Sequence, residues 1–271
     1  MANKKTGISY ENLDRCIYDG VGEYGIPQIK PTVFTDGCEF IGFNYARGKC
    51  SNPEEKAVHF FLDDYQFNAL WRNPDRYVDK LSRFRYVLTP DFSTYTDFPK
   101  AIQIYNHYRK HWIGAYLQEY GCRVIPTISW STPDSYEWCF DGEPTNGTVA
   151  VSSVGTQKSK KAKELFIQGY REMVRRLEPE TIIFYGNIPE ECMGISYIFG
   201  HFRRNSRRQN VMGGRGAASG AANGMALGRK MSVSKFLENL KKNNANTVFN
   251  NLSELSPKVG KTGFFTNGNA V

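Results

Sequence analysis

The feature that most constrains the fold is a regular alternation of apolar, β-branched segments with segments of helical periodicity. The predicted strands are 57–62, 86–89, 122–128, 148–151 and 181–185. The predicted helices between them are 65–71, 101–120, 135–140 and 162–177. Adjacent parallel strands need a crossover connection, and a crossover helix covers one face of the sheet. The alternation therefore predicts an α/β fold with a mainly parallel sheet, and it leaves an open sheet and a partial barrel as alternatives.

The first fifty residues have Gly, Pro and Asp at short intervals around two apolar segments. Such punctuation is typical of turns, so we expect an irregular lead-in with at most short strands at 32–34 and 40–43. The composition changes abruptly beyond His201. Residues 1–201 are therefore predicted to form one α/β domain.

The basic charge of the chain is confined to its C-terminal part. The formal net charge is +8, yet residues 1–201 hold 23 Lys and Arg against 25 Asp and Glu. Residues 202–230 hold seven basic residues and no acidic one, and their Gly-rich and Arg-rich composition predicts a flexible, disordered linker. Residues 231–271 are a predicted tail with one short amphipathic helix. The apolar face of that helix consists of Val233, Phe236, Leu237 and Leu240.

The composition also indicates a compartment. There is no apolar run of the roughly 20 residues that a membrane helix requires, and the start lacks the apolar core of a signal peptide. A cytoplasmic protein that does not enter membranes is expected. Six cysteines occur without a C-x-x-C pair, so reduced thiols are expected. Cys38 and Cys50 could join a histidine in a metal site, but ordinary buried thiols are the favoured interpretation.

Two acidic residues follow predicted strands, where ligands of parallel α/β proteins bind. Asp63 follows the first strand and Asp91 the second, and they are the candidate catalytic residues. Their carboxylates could hold Mg²⁺ or divide the roles of general acid and general base. Helix capping is the alternative, because an Asp at a strand-to-helix junction accepts free backbone amides, and Asp64 fits that role.

A loop of small residues and lysines follows the fourth predicted strand. Ser153, Gly155 and Lys158 offer a hydroxyl, a free amide and a cation just before a predicted helix start, which suits a phosphate group. The G-x-x-x-x-G-K-[ST] spacing of a P-loop is absent. A solvated, lysine-rich helix start is the alternative.

Three further residues complete the predicted phosphate- or substrate-binding set. They are Ser93, Trp130 and Tyr185, each placed after a different strand. Trp130 precedes a turn that also carries Tyr136 and Trp138, so a planar base or sugar could stack there. Burial in the core is the favoured alternative for these aromatic side chains.

Two histidines show the spacing of a metal pair. His107 and His111 are four residues apart and share one face of the predicted long helix. The glutamate of an H-E-x-x-H motif is missing, so a metal pair is not favoured. His59 lies in an apolar strand and is predicted to be a buried core residue. Motifs of α/β-hydrolases (G-x-S-x-G) and of dinucleotide-binding proteins (G-x-G-x-x-G) are also absent.

Several short runs of sequence carry a specific family resemblance. They are His59–Phe67, Leu88–Ser93, Val124–Pro126, Ile128–Trp130, Val149–Ser152 and Ile182–Gly186. Together they resemble a family of phage and bacterial proteins, the domain of unknown function 4417. The resemblance covers roughly residues 40–190. It implies the product of a phage or other mobile element, with one α/β domain and a variable Gly-rich tail, and it implies no particular reaction.

Two functions remain open on the sequence. The first is a protein that binds or processes a phosphate-bearing nucleotide or nucleic acid in the strand-end crevice, in the host cytoplasm if a phage encodes it. The second is a non-enzymatic phage accessory or anti-defence protein, which would bind a phage or host protein through its basic tail. Whether the protein is an enzyme is left undecided.

Overall fold

The computed structural model describes residues 10–35 and 37–192 and the backbone of strand 197–199. The helices are α1 (Phe43–Ala46), α2 (Asn68–Arg72), α3 (Asp75–Leu81), α4 (Lys100–Glu119) and α5 (Lys160–Leu177). The strands are β1 (Gly20–Val21), β2 (Ile26–Pro27), β3 (Glu39–Gly42), β4 (Lys56–His59), β5 (Tyr86–Leu88), β6 (Val124–Ile125), β7 (Thr148–Ser152), β8 (Thr181–Tyr185) and β9 (Tyr197–Phe199). Short 3-10 helices span Pro53–Glu55, Asp64–Gln66, Pro133–Glu137 and Glu190–Cys192.

The main sheet is parallel and its strands follow the order of the sequence. Strands β3 to β6 form one four-stranded ladder, and β7 to β9 form a three-stranded ladder. The two ladders are joined just after β6, where the Ala150 amide donates to the Pro126 carbonyl and the Ile128 amide donates to the Ala150 carbonyl, both at 2.8 Å. The predicted α/β fold with a mainly parallel sheet is confirmed.

The sheet is curled rather than flat. Four strand spacings separate β4 from β8, which is roughly 19 Å in a flat sheet. Yet Tyr185, the last residue of β8, stacks on Phe61 with ring centroids 4.7 Å apart, and on His59 at 5.6 Å. Side chains stand roughly perpendicular to a sheet, so these rings meet because the sheet curves round on itself. Among the described residues no pairing joins β3 to β9, and the arrangement is a partial barrel.

Apolar residues from successive strands fill the inside of this curve. Ala57, Leu88, Ile125, Ala150 and Ile183 share the sheet face of His59 and Tyr185 in the strand register; all five are fully buried and belong to one hydrophobic cluster. Parallel strands that are covered on both faces have continuous apolar sequences. This explains why the strands could be recognised in the sequence.

The lead-in closes the amino end of the sheet. The Thr148 amide donates to the Thr32 carbonyl at 2.8 Å, and the Phe34 amide donates to Thr148 Oγ1 at 2.9 Å. The Thr35 amide donates to the hydroxyl of Tyr86 at 3.0 Å. Because Thr148 and Tyr86 begin β7 and β5, the segment 32–35 crosses the starts of the strands. Residues 32–34 form no strand, which agrees with an irregular lead-in with at most short strands: the Phe34 amide bonds the Thr148 side chain instead of a neighbouring backbone carbonyl.

Other predicted boundaries also shift. Residues 40–42 belong to an edge strand of the four-stranded ladder, β3, and Phe43 begins α1. The first predicted strand ends at His59, and the helix predicted after Asp64 splits into a 3-10 turn and α2. The helix predicted at 135–140 is a 3-10 helix, Pro133–Glu137. Helix α3 was not predicted, because it begins directly after Pro74, which was interpreted as a stop.

The predictions for the C-terminal part lie outside the described residues. These are the linker 202–230, the tail 231–271 and its amphipathic helix. None of the helices within the described part of the chain is long and apolar enough to cross a membrane.

Candidate functional site

A cavity of about 2140 Å³ opens where the main-sheet strands end. It is lined by seven of the eight candidate residues, which come from loops that are far apart in sequence. Those residues are Asp63, Asp91, Ser93, Trp130, Gly155, Lys158 and Tyr185. The eighth, Ser153, is 3 % exposed and is absent from the lining; its hydroxyl donates to the Asn187 carbonyl at 2.5 Å. Ser153 thus ties two strand-end loops together.

Asp91 is the acidic residue of the cavity whose pKa is shifted. Burial raises the pKa of its carboxyl to about 7, the Lys110 ammonium opposes that rise, and the Asp64 carboxylate adds to it. A carboxyl with a pKa near neutrality can both give and take a proton at physiological pH. Asp91 is therefore equipped to act as a general acid or base.

Asp64 joins two of the loops that form the cavity wall. Its Oδ1 accepts from the Ser93 hydroxyl at 2.9 Å and its Oδ2 accepts from the Ser93 amide at 3.2 Å. The amide nitrogen of Asn106 donates to the Ser93 carbonyl at 2.6 Å. The capping role considered for Asp64 is wrong, because both of its oxygens are used across the sheet edge. Three hydrogen bonds thus position Ser93 in the cavity wall.

Asp63 precedes the 3-10 helix Asp64–Gln66 but its side chain makes no capping bond. Its Oδ2 accepts from Gln66 Nε2 at 3.4 Å, and the residue lines the cavity. Within residues 10–35 and 37–192, Asp63 and Asp91 belong to no group of three metal-ligating side chains.

The cavity wall after β7 is basic and leads into helix α5. Gly155 adopts a φ of +85°, which places the loop in a conformation that side chains other than glycine rarely reach. Ser159 caps α5: its hydroxyl oxygen accepts from the Ala162 amide at 3.1 Å. Ser159 and Ala162 line the cavity with Lys158, so the positive end of the helix dipole borders the same space.

Aromatic rings form another part of the wall. Trp130 is partly buried and packs on Phe166, with ring centroids 5.4 Å apart, so it is neither wholly core nor wholly free. Trp138, by contrast, is 1 % exposed and is a core residue, as its alternative interpretation predicted. Burial lowers the pKa of the wall residue His59 to about 3, so its imidazole is neutral.

The sequence did not single out two exposed tyrosines of the cavity. Tyr65 is 79 % exposed and Tyr95 is 61 % exposed, and both contribute to its lining. Lone tyrosines in polar loops give no sequence signal, because only the tertiary structure puts them beside a cavity.

The fold and the cavity define a class: an α/β protein with a partial parallel barrel and a ligand-sized opening at the carboxyl ends of its strands. The chain belongs to the family described as domain of unknown function (DUF4417), whose sequence profile matches residues 18–202. The resemblance found in the sequence is confirmed.

Two relatives are phage proteins. The chain is similar to the Gene 1 protein of Mycobacterium phage L5, with 42% identity over 175 residues, which is 64% of this chain and 76% of that protein. It is also similar to the Gene 1 protein of Mycobacterium phage D29, with 38% identity over 175 residues, 64% of each protein. No solved structure was found to match the chain.

Proposed function

We propose that the strand-end cavity binds and processes a phosphate-bearing nucleotide or the end of a nucleic acid, with Asp91 as the acid–base group. The observation that carries this proposal is that a carboxyl with a pKa of about 7 and the lysine-bearing start of α5 line one cavity. An acid–base group and an anion site in one crevice are what phosphate-ester chemistry requires. If a phage encodes this chain, as phages encode its relatives, the reaction would take place in the host cytoplasm.

Each side of the cavity has a role in this proposal. Lys158, Gly155 and the free amides at the start of α5 hold the phosphate. Trp130 and Tyr185 offer ring faces for a base. Asp91 moves a proton, and Asp63 is a second carboxylate in the same space. The volume of about 2140 Å³ exceeds the ~300–1,000 Å³ of typical small-molecule pockets, so it admits a strand end as well as a mononucleotide.

The phosphate site is tested by comparing two neighbouring lysines. Lys158 lines the cavity, whereas the side chain of Lys160 is 92% exposed and absent from the lining. We expect Lys158→Ala to weaken binding of nucleotides and 5′-phosphorylated oligonucleotides by about tenfold, a loss of roughly 1.4 kcal/mol. Lys160→Ala should change it less than about twofold. Binding is measured by calorimetry with the full-length chain.

The two variants also show what would contradict the proposal. Equal losses in both would mean that general surface charge, not the cavity, attracts the ligand. No binding of any nucleotide or oligonucleotide to the folded chain would favour the other function, an accessory protein that acts through a protein partner. Pull-downs with the full-length chain would then be the next experiment.

A further inference from the structure

A second group of reactive side chains lies outside the cavity lining, between α4 and the loop before β7. His107 and His111 of α4 and Glu143 of the loop bring one potential ligand atom each within 4.8 Å of one another. His107 is 2 % exposed, His111 is fully buried, and the Glu143 side chain has no exposed surface. The sequence offered the two histidines but not the acid, which is 32 residues further along the chain.

Backbone carbonyls fix the orientation of both imidazoles. His111 Nδ1 is 2.8 Å from the Pro27 carbonyl, and His107 Nε2 is 3.0 Å from the Asp141 carbonyl. A carbonyl only accepts, so these two nitrogens carry the protons and donate. His107 Nδ1 keeps its lone pair, and a metal would replace the proton that His111 Nε2 shares with Glu143 Oε1. Metal-ligating histidines show this same arrangement, in which the other ring nitrogen donates to a carbonyl or carboxylate.

One oxygen of the Glu143 carboxylate is hydrogen-bonded and the other is not. Its Oε1 accepts from Lys110 Nζ at 2.6 Å, and the same oxygen is 2.9 Å from His111 Nε2. Its Oε2 is buried and has no hydrogen-bond partner among the described residues. A buried carboxylate oxygen without a partner is costly, and a cation bound there would remove that cost.

We propose that His107, His111 and Glu143 form a closed structural site for one divalent transition metal, with Zn²⁺ as the best match to two imidazoles and a carboxylate. The ligand atoms are His107 Nδ1, His111 Nε2 and a carboxylate oxygen of Glu143, and one buried water would complete a four-coordinate shell. Lys110 then serves as the hydrogen-bond donor that orients Glu143 through Oε1. The site is independent of the function proposed for the cavity.

The metal would join three parts of the fold. His107 and His111 belong to α4, Glu143 belongs to the loop before β7, and the carbonyl that orients His111 belongs to Pro27 of β2. Because the site is closed to solvent, its metal stabilises the fold and performs no reaction. Metal that binds the native state alone raises the thermal midpoint.

The first experiment measures metal in the full-length chain, purified without a polyhistidine tag. Elemental analysis should find about one zinc per chain. After chelation, added Zn²⁺ should raise the thermal midpoint by at least about 5 °C, and Co²⁺ should give the visible absorption of a four-coordinate site. Less than a tenth of an equivalent of metal, together with no midpoint rise and no Co²⁺ absorption, would overturn the proposal.

Matched variants separate this site from adventitious binding. His107→Gln and Glu143→Gln should lose the metal and the midpoint rise. Glu137→Gln, which changes a carboxylate whose side chain is 75% exposed, should keep both. If the buried variants fail to fold, the stoichiometry and Co²⁺ absorption of the unmodified chain still decide. Zinc that His107→Gln and Glu143→Gln retain in the folded state would place the metal elsewhere and refute the site.

Discussion

At the scale of single residues, the contact between Trp130 and Gly169 shows how the cavity wall depends on one missing methyl group. A Cβ at Gly169 of α5 would lie 2.1 Å from Trp130 Nε1 and 2.3 Å from Trp130 Cδ1. Non-bonded heavy atoms do not approach that closely, so the indole occupies its place only because residue 169 has no side chain. Helix propensity alone would favour alanine at this position.

Gly169→Ala is therefore expected to displace Trp130 and disturb both stability and ligand binding. Overpacking of this kind costs roughly 1–3 kcal/mol of unfolding free energy. Chemical denaturation measures that loss, and tryptophan fluorescence reports the displaced indole. Gly48→Ala is the control, since its Cβ would meet only the Tyr45 carbonyl oxygen, at 3.4 Å. Unchanged stability in Gly169→Ala would show that α5 and Trp130 are not packed as described.

The raised pKa of Asp91 predicts how stability changes with pH. In the folded state the Asp91 carboxyl keeps its proton up to about pH 7, whereas in the unfolded chain it loses the proton near pH 4. The contribution of Asp91 to the unfolding free energy is therefore lost as the pH rises from about 4 to about 7. Asp91→Asn stays neutral throughout. It should raise the unfolding free energy by roughly 1–4 kcal/mol at pH 8 and change it little at pH 4.

Denaturant unfolding of both proteins across pH 4–8 checks this expectation. A difference between them that does not grow with pH would mean that Asp91 ionises as an ordinary surface carboxylate. It would also remove the acid–base role from the proposed function.

At the scale of elements, the start of helix α5 combines stability and recognition. Ser159 supplies the side-chain oxygen that caps the helix. The first turn of the helix contains lysines and no acidic residue. The free amides and the helix dipole favour an anion at this position. A change that preserves the cap but adds a negative charge should therefore separate the two roles.

Ser159→Ala and Ser159→Asp make that separation. Ser159→Ala should lower the unfolding free energy by about 0.5–2 kcal/mol, whereas Ser159→Asp retains a capping oxygen and should cost less. Ser159→Asp should nevertheless weaken phosphate binding, because its charge repels the ligand. Denaturation and calorimetry measure the two effects. If Ser159→Asp binds phosphorylated ligands as tightly as the unmodified chain, the start of α5 is not the phosphate site.

Helix α4 shows why an element's position is easier to predict than its role. Its span was predicted to within one residue at each end. Its buried positions include Asn106, His107, Lys110 and His111, which a core helix rarely contains. Their partners, such as Glu143, come from distant parts of the chain, and no periodicity within α4 reveals them.

At the scale of the whole molecule, charge is divided between a nearly neutral body and a basic C-terminal part. Residues 202–230 carry seven basic residues and no acidic one. Such a segment attracts nucleic acid without reading its sequence, and the attraction falls with salt. If the cavity accepts a strand end, the C-terminal part would raise the local concentration of that strand.

Neutralising part of this charge tests whether the basic C-terminal part contributes to nucleic-acid binding separately from the cavity. Replacing Arg203, Arg204, Arg207 and Arg208 with serine in the full-length chain should weaken oligonucleotide binding. The slope of log affinity against log salt should fall by roughly 0.7–0.9 for each phosphate that the variant no longer neutralises. Mononucleotide binding, measured alongside, should be unchanged. An oligonucleotide salt slope that stays the same would exclude these arginines from binding.

The alternation of strands and helices, the parallel sheet and the family resemblance could all be read from the sequence. These features are local: each depends on residues that are neighbours in the chain, such as the apolar run that became β8. The tendency of ligands to bind at carboxyl strand ends then pointed to Asp63, Asp91, Trp130 and Lys158, which do line one cavity. Their chemical roles stay proposals.

Only the tertiary structure decided which of these residues share an environment. The curling of the sheet brought Tyr185 against Phe61, and burial raised the pKa of Asp91. Asp64 accepts hydrogen bonds from Ser93 and does not cap a helix. Glu143 likewise met His107 and His111 across 32 residues or more. Contacts of this kind depend on sheet curvature and burial, which are properties of the whole packed chain, whereas periodicity records only which face of a strand or helix is apolar.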